Sequence, residues 1–399
     1  MSRYLFLPTK QTKKHIVLYN TIMLEKKALP TSTFACGPGQ ALHTLRQTPL
    51  CATHFERNHR APDVVRDIYE YADRELRRLL KIPPDYSLCF FPGGGNAAMD
   101  AVLWNLTTDT LSGLAFGEFS RRWAGTMAER LPNVKNTVRF TKPGELIPTE
   151  EPDYNAGLIV LTPNETSTGV QLPNEYLSRV WQKRGKNTLV AWDATSCAGG
   201  RLLPKNEFDI LLFSLQKCFG TMGGTSVLIL SPAAQARLQK LPRVVPYFLD
   251  LTRAVEQAKN FQTVNTPNTT AIWCAGQAAA WMNQNGGLAA MDALCRAHAK
   301  WITDWAATTD FCTPLVSDEK YRSYTTLTLQ ITDDKINADD INRALINTGL
   351  ENLKDGLKRH PYAPKNSLRV SCFPFVDTDG VSQYKKLTAA LDEIVRQLH

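Results

Sequence analysis

A carboxylate and a lysine stand at the ends of two neighbouring apolar runs near the middle of the sequence. The run 188–192 is followed by Asp193, and the run 210–215 is followed by Gln216 and Lys217. Unbroken apolar runs of this length are typical of strands buried on both faces of a sheet. Because ligands of open α/β sheets bind where such strands end, we expect Asp193 and Lys217 to converge on one rim of the sheet.

An acid and a lysine in this arrangement are the residue types that pyridoxal 5′-phosphate requires. The lysine amine forms a Schiff base with the cofactor's aldehyde, and the acid keeps the pyridine nitrogen protonated, so that the ring withdraws electrons from the substrate's α-carbon. On these residues alone a simpler interpretation stays open. In that interpretation Asp193 caps a turn and Lys217 is a solvated surface side chain.

Length and composition bound the class of protein. The chain has 399 residues, of which 43% are hydrophobic, and a net charge of +8. This length predicts two lobes, and no apolar run is long enough to span a bilayer. The charge is scattered, without a basic block interleaved with aromatics, so we expect neither nucleic acid nor a membrane as partner. Nine singly dispersed cysteines predict a reducing, cytoplasmic setting and no disulfide framework or metal site.

A glycine-rich turn follows the predicted strand 87–91 and opens a helix at Gly93 and Gly95. Backbone N–H groups at such a helix start form a phosphate site. Gly93, Gly95 and Ala98 also fit a dinucleotide-binding fingerprint. We discount that function because the acid expected about 20 residues later does not fall at a second strand end.

The order of the remaining elements predicts two domains after an N-terminal extension. The predicted strand 157–161 ends in a loop of hydroxyl and amide groups, and the predicted helix 269–283 is broken by Gly286 and Gly287. We place the boundary there. The predicted units are an extension over 1–33, a large domain over 34–287 and a small α+β domain over 288–399, with strands 324–331 and 368–372 and helices 338–347 and 381–398.

Three basic features fall outside the central stretch. The first 30 residues contain Glu25 as their only acid, and we interpret them as disordered or loosely packed rather than as a targeting segment. His59 and Arg60 precede the predicted helix 65–80. They either bind an anion or are ordinary surface residues. Arg369 lies within an apolar strand, and because arginine is rarely buried alone it should bind a carboxylate of the protein or of a substrate.

The sequence as a whole resembles the phosphoserine aminotransferases, within the class V group of fold-type I pyridoxal-phosphate enzymes. The resemblance runs from about Phe34 to the C-terminus, and its order and spacing are specific. The motifs are FACGPG, NHRAP, KIPPDY, PGGGNAAMDAV, GEF, PNETSTG, WDATSCAGG, SLQK, VNTPNT and SLRVSCFP. It implies an α/β fold, in which a large domain with a mostly parallel seven-stranded sheet precedes a smaller C-terminal α+β domain.

The resemblance also implies a cofactor site. Lys217 would carry the Schiff base and Asp193 would pair with the pyridine nitrogen. The other implied cofactor contacts are Gly95, Asn96 and Gln216 at the phosphate, Phe119 on the ring, Thr166, and, from the neighbouring subunit, Asn265 and Thr266. The last pair implies a homodimer with shared active sites. Better-known branches of the family have tryptophan at the position of Phe119, which implies a smaller ring contact here.

Substrate binding follows from the same resemblance. His59, Arg60 and Arg369 would bind the phosphate and carboxylates of the substrates. Many family members carry a further His-Arg pair shortly before the last arginine. Here the segment 358–362 reads KRHPY, with the order reversed and the spacing changed, so Arg359 and His360 are weaker candidates.

The implied reaction is reversible transamination. Glutamate would give its amino group to the cofactor and leave as 2-oxoglutarate, and 3-phosphohydroxypyruvate would become O-phospho-L-serine, the middle step of phosphorylated serine biosynthesis. A 4-phosphohydroxythreonine-type substrate of vitamin B6 synthesis is a further possibility that the family implies. The alternatives are an alanine/serine–glyoxylate type aminotransferase, a cysteine desulfurase using Cys218 or Cys372, and a cofactor-binding protein without catalysis.

Overall fold

The computed structural model describes residues 28–36, 40–42, 58–142, 145–240, 243–348, 353, 356–361 and 363–398. The predicted N-terminal extension lies outside the described residues up to residue 27. Its last part is packed rather than loose. Leu29 is buried, and the backbone N–H of Thr31 donates to Oε1 of Gln383 at 2.8 Å.

Thirteen strands and ten main helices make up the described fold. The strands are β1 (Ser87–Pro92), β2 (Thr110–Ala115), β3 (Lys135–Asn136), β4 (Arg139–Phe140), β5 (Leu158–Leu161), β6 (Asn164–Glu165), β7 (Val170–Gln171), β8 (Leu189–Asp193), β9 (Ile210–Ser214), β10 (Thr225–Leu230), β11 (Cys312–Pro314), β12 (Thr326–Ile331) and β13 (Ser367–Ser371). The helices are α1 (Tyr71–Leu80), α2 (Gly94–Leu106), α3 (Glu118–Arg121), α4 (Asn174–Lys183), α5 (Pro232–Leu238), α6 (Leu251–Ala258), α7 (Thr269–Gln284), α8 (Gly287–Ala306), α9 (Ala338–Asn347) and α10 (Ser382–Leu398).

Shorter helical segments flank these elements. The predicted helix 65–80 consists of a π-helical stretch and α1, and a single α-helical turn precedes it. The short segments are Pro62–Val64, the π-helical Val65–Glu70 and Arg122–Met127, and the 3₁₀ turns Ala128–Arg130, Tyr247–Leu249 and Pro374–Val376. No helix in the described part of the chain is both long and apolar enough to cross a membrane.

The main sheet has the order β1-β10-β9-β8-β5-β2-β3, with β4 also paired to β2. β10 pairs antiparallel with both β1 and β9, and the pairs from β9 to the β3/β4 edge are parallel. β3 and β4 pair with successive parts of β2 and so share one edge position. The predicted α/β fold with a mostly parallel sheet of seven strand positions is therefore confirmed.

The central strands are buried along their whole length. Every residue of β8, β9 and β10 is buried, as their apolar runs predict. In β8, Val190 and Trp192 pack in the cluster that holds α1 and α7, whereas Leu189 and Ala191 pack in the cluster of α2 and α6. This alternation is the two-residue period of a strand covered on both faces.

A smaller antiparallel sheet, β11-β12-β13, lies towards the C-terminal end of the chain. Its core includes apolar residues of α8, α9 and α10, together with Phe34 and Cys218. The sequence did not predict β11, which is only three residues long. α8 joins two cores, since Met291 belongs to the cluster of α1 and Cys295 to that of the small sheet. The division of the chain at residue 287 stays a prediction.

Candidate active site

A cleft opens at the carboxyl ends of β8 and β9 and has a volume of about 310 Å³. That is at the lower end of the range for small-molecule sites, roughly 300–1,000 Å³. The cleft brings together seven of the residues proposed from the sequence: Gly95, Asn96, Phe119, Thr166, Asp193, Gln216 and Lys217.

Lys217 lies three residues after the end of β9, and its side chain is held inside the protein. The residue is 9% exposed, and its Nζ donates to the carbonyl oxygen of Cys36. Burial lowers the pKa of this amine to about 8, because a charged ammonium is costly away from water. A larger share of Lys217 is therefore uncharged and nucleophilic near neutral pH than for an exposed lysine.

Asp193 ends β8, the strand next to β9, and is 3% exposed. One carboxylate oxygen, Oδ1, accepts a hydrogen bond from the backbone N–H of Thr195 at 3.0 Å. Burial raises the pKa of Asp193 to about 6, and the nearby carboxylate of Glu165 acts in the same direction. A cationic nitrogen placed beside Asp193 would favour its charged form and reverse this shift.

The start of α2 forms one end of the cleft. Gly93 has φ +88°, and a Cβ there would lie 2.6 Å from Cβ of Ala97, so only glycine fits the turn. The N-cap provides no side-chain hydrogen bond, which leaves the first N–H groups of the helix to other acceptors. Oγ of Ser214 and Oε1 of Gln216 are buried without a partner among the described residues. The open N–H groups and the Ser214 hydroxyl can donate to a bound anion, whereas Oε1 of Gln216 can only accept.

Phe119 presents its ring to the cleft between two cationic or ionisable side chains. The His360 ring lies with its centroid 5.6 Å from that of Phe119, tilted by 56°. The guanidinium of Arg122 lies 5.4 Å from the Phe119 centroid and also donates to Oδ1 of Asn96 at 3.3 Å. Burial lowers the pKa of His360, and the charge of Arg369 adds to the effect.

Arg369 lies on β13 beside the cleft. Its Nη1 donates to the carbonyl oxygen of Thr166 at 3.5 Å, while its Nε is buried with no partner among the described residues. Its charge is close enough to lower the pKa of Lys217. The predicted carboxylate partner is not found within the described part of the chain, which leaves a guanidinium with unused donors near Lys217.

Besides His360 and Arg369, which lie beside the cleft, five further proposed residues are absent from its lining. His59 and Arg60 lie in the turn before Pro62–Val64, where the Arg60 N–H donates to Asn58. Asn265 and Thr266 lie before α7, and Nδ2 of Asn265 is buried without a partner among the described residues. Nη1 of Arg359 donates a hydrogen bond to the carbonyl oxygen of His360 at 3.3 Å.

Sequence reasoning missed several residues of the site. Thr195 and Ser214 line the cleft beside the predicted pair. Thr195 is within the motif WDATS, so its proximity to Asp193 could have identified it. Cys36 and Glu165 stand within the motifs FACGPG and PNETSTG, which gave them no role, and Arg122 reaches the site only through the fold. The described part of the chain contains no cluster of three side chains able to hold a metal ion.

Comparison with protein families and with known sequences gives one consistent result. A model of the class-V aminotransferases matches residues 51–381. A phosphoserine aminotransferase of Corynebacterium glutamicum (strain R) is 32% identical over 370 residues, which cover 91% of this chain and 94% of that protein. A putative phosphoserine aminotransferase of Mycobacterium avium (strain 104) is 34% identical over 375 residues, covering 92% and 95%.

Solved structures share the fold. A phosphoserine aminotransferase from Cytophaga hutchinsonii superposes with a TM-score of 0.81 at 24% identity, covering 91% of this chain and 98% of that chain. An alanine–glyoxylate aminotransferase from Nostoc sp. gives a TM-score of 0.74 at 20% identity, with coverage of 94% and 98%. The fold alone therefore does not distinguish the two substrate classes.

Proposed function

The chain belongs to the class-V aminotransferase family, and from this premise we propose that it is a pyridoxal-phosphate-dependent phosphoserine aminotransferase. The reaction is the reversible transamination of 3-phosphohydroxypyruvate with L-glutamate, which gives O-phospho-L-serine and 2-oxoglutarate. Relatives above 30% identity over most of the chain carry that name. The observation that carries the proposal is the cleft that joins Lys217 and Asp193 to the start of α2.

The cleft fits pyridoxal phosphate by the chemistry of its donors. The unpartnered hydroxyl of Ser214 and the open N–H groups at the start of α2 can donate to the phosphate. Lys217 provides the amine, Asp193 the carboxylate for the pyridine nitrogen, and Phe119 an aromatic face. When bound, the cofactor supplies an aldehyde that reacts with amines and a ring that withdraws electrons from the substrate's α-carbon.

Besides providing the amine for the cofactor, Lys217 is the general base of the proposed reaction. Its amine is buried and its pKa is lowered to about 8, so Nζ acts as a general base near neutral pH. With the cofactor in place, Nζ would take the proton from the α-carbon of the amino acid and deliver it to the cofactor's C4′ carbon, and the keto-acid half-reaction would run these two steps in reverse. Asp193 stays ionised beside a cationic nitrogen, which sustains the electron withdrawal that makes this proton acidic.

The substrates are dicarboxylate or carboxylate–phosphate anions, and the site provides cations for both ends. Arg369 binds the α-carboxylate, because its guanidinium has an unpaired Nε beside the cleft and can bind a carboxylate through two hydrogen bonds. His360 lies against Phe119, and Arg359 donates to the carbonyl oxygen of His360. His59 and Arg60 bind the distal phosphate or carboxylate from the partner subunit, since neither lines the cleft of its own chain.

A homodimer with shared sites completes this arrangement. Val244, Tyr247 and Phe248 are exposed apolar residues, and Val244 is 90% exposed. The ring of Phe248 lies 3.9 Å from where a Cβ of Gly93 would be, so this apolar surface borders the cofactor's phosphate end. A second copy covering it would bring Asn265 and Thr266 to the neighbouring phosphate. The described cysteines are all free and buried, which supports the cytoplasm as the location.

The absorbance spectrum of the purified protein tests the proposal. The protein loaded with pyridoxal phosphate should show the visible band of a lysine-bound cofactor, and L-glutamate should shift it. Lys217→Ala should lose the band, whereas the exposed-lysine control Lys335→Ala should keep it. A band that shifts equally with L-alanine would favour the alanine–glyoxylate alternative, and a protein that binds no cofactor would refute the proposal.

A further inference from the structure

A second cavity lies on the opposite face of the main sheet from the active-site cleft. In β8, Asp193 lines the cleft and its neighbour Trp192 lines the cavity, because consecutive residues of a strand point to opposite faces. The other walls come from the end of α1, the loop between β8 and β9, and the start of α8. The cavity has a volume of about 260 Å³, just below the roughly 300–1,000 Å³ of sites for drug-sized ligands, so it suits a compact molecule.

The walls of this cavity are apolar and its rim is basic. Leu79, Phe208 and Leu211 are buried apolar residues of the lining. Arg78, Lys81 and Lys205 are also part of the lining and are exposed. Within the described part of the chain none of these three cations has an ion pair, and no aspartate or glutamate lines the cavity. The charge of the site is therefore positive and uncompensated.

Hydrogen-bond donors face the same space. α8 is 20 residues long and begins at Gly287, and its N-cap Gly286 provides no side-chain hydrogen bond. Its first turn, with the positive end of the helix dipole, contributes to the cavity wall. Independently, Nε1 of Trp192 is buried with no partner among the described residues. A buried N–H without an acceptor is uncommon in proteins, and here it belongs to a fully buried residue of the cavity wall.

From these observations we infer that the cavity is a binding site for a small amphipathic anion, an apolar body that carries one carboxylate. The apolar body packs on Leu79, Phe208 and Leu211. The carboxylate lies at the start of α8, within reach of Lys81 and Lys205, and an oxygen of the ligand accepts from Trp192. This site is separate from the cofactor site and does not depend on the proposed aminotransferase activity.

Calorimetric titration of the purified, cofactor-loaded protein with a series of phenylalkanoates, from benzoate to 6-phenylhexanoate, tests the inference. At least one acid should bind saturably, and its matched neutral alcohol should bind about tenfold more weakly. The double variant Lys81→Glu/Lys205→Glu should weaken the acid by tenfold or more, and Trp192→Phe, which removes only the N–H and some ring area, should weaken it several-fold. Lys335→Glu, a charge reversal at an exposed lysine outside the lining, should change binding less than twofold.

A cavity-filling variant and the melting temperature provide a second test of the inference. Leu203→Trp fills the half-buried rim and should abolish binding, while the melting temperature without ligand stays close to that of the wild type. The acid should raise the melting temperature of the wild type and not of Leu203→Trp. The inference is wrong if no acid of the series binds, if acid and alcohol bind equally, or if the double variant binds like the wild type.

Discussion

The carboxylate of Glu165 accepts hydrogen bonds from both the backbone N–H and the hydroxyl of Ser120, at 2.8 and 2.9 Å. Its other oxygen accepts from the N–H and hydroxyl of Ser167, at 3.1 and 2.7 Å. Glu165 is fully buried, and a Cβ on Gly117 would lie 2.2 Å from its Cγ. One side chain thus joins the segment that carries Phe119 to the loop that carries Thr166.

Removal of this carboxylate should destabilise the protein strongly. Glu165→Ala leaves the N–H groups of Ser120 and Ser167 and the hydroxyl of Ser167 without an acceptor, and we expect the free energy of unfolding to fall by about 2–4 kcal/mol. Urea denaturation measures this loss. Glu165→Gln keeps one acceptor and should lose less. The exposed control Glu129→Ala should stay within about 0.5 kcal/mol of the wild type, and a similarly small loss for Glu165→Ala would contradict the interpretation.

The sequence was sufficient to predict the central strands and the pair at their ends. The run 188–192 is unbroken and apolar because β8 is covered on both faces. Such a run can be recognised as a strand from the local sequence alone. The strand extends one residue further than predicted and includes Asp193. The glycines at 93–95 predicted the start of α2 for a similarly local reason, since the turn requires a positive φ at Gly93.

Contacts between distant segments could not be predicted in this way. The carbonyl of Cys36 reaches Lys217, and His360 reaches Phe119, through packing that no local pattern encodes. β11 is too short to show a periodicity. The roles of the proposed substrate residues stay predictions, because His59 and Arg60 lie away from the cleft of their own chain.

The pH dependence of stability should differ between the wild type and Asp193→Asn when both lack cofactor. Burial raises the pKa of Asp193 to about 6 in the folded protein, against about 3.9 in the unfolded chain. Between these values the folded state holds a proton that the unfolded state has lost, so stability falls as the pH rises through 6. Asparagine does not titrate in this range, so at position 193 it makes no contribution to stability that depends on pH.

Without cofactor, Asp193→Asn should therefore be as stable as the wild type below pH 4 and more stable, by about 2–3 kcal/mol, above pH 7. The same variant should lose most of its transaminase activity, since the carboxylate beside the pyridine nitrogen is gone. Denaturation at pH 4 and pH 8 measures the difference. If the wild type is the more stable of the two at pH 8, burial does not raise the pKa of Asp193 in the folded protein.

A mixture of two inactive variants should regain activity if the sites are shared. Lys217→Ala and Asn265→Ala each remove one contribution, and we expect subunit exchange to form mixed dimers. In such a dimer one of the two sites combines the intact Lys217 of one chain with the intact Asn265 of the other. Recovery of activity on mixing, measured by 2-oxoglutarate formation, supports the dimer. A protein that runs as an active monomer in size-exclusion chromatography would exclude it.

Arg369→Gln should lower kcat/KM for glutamate by about ten- to a hundredfold, because a hydrogen bond to a charged group contributes roughly 1.5–3 kcal/mol. Arg369→Lys keeps the charge but not the two parallel donors, and its loss should be smaller. The exposed-arginine control Arg130→Gln should behave like the wild type in the same steady-state assay. An Arg369→Gln enzyme within threefold of wild type would remove this residue from the substrate site.

The choice of amino acceptor tests the central proposal most directly. Initial rates of the purified enzyme should be measured for 3-phosphohydroxypyruvate with L-glutamate and for glyoxylate with L-alanine, with the product identified by mass spectrometry. We predict O-phospho-L-serine as product, a kcat/KM for phosphohydroxypyruvate about a hundredfold or more above that for glyoxylate, and no turnover by Lys217→Ala. Equal rates with both acceptors, or a preference for glyoxylate, would contradict the assignment as a phosphoserine aminotransferase.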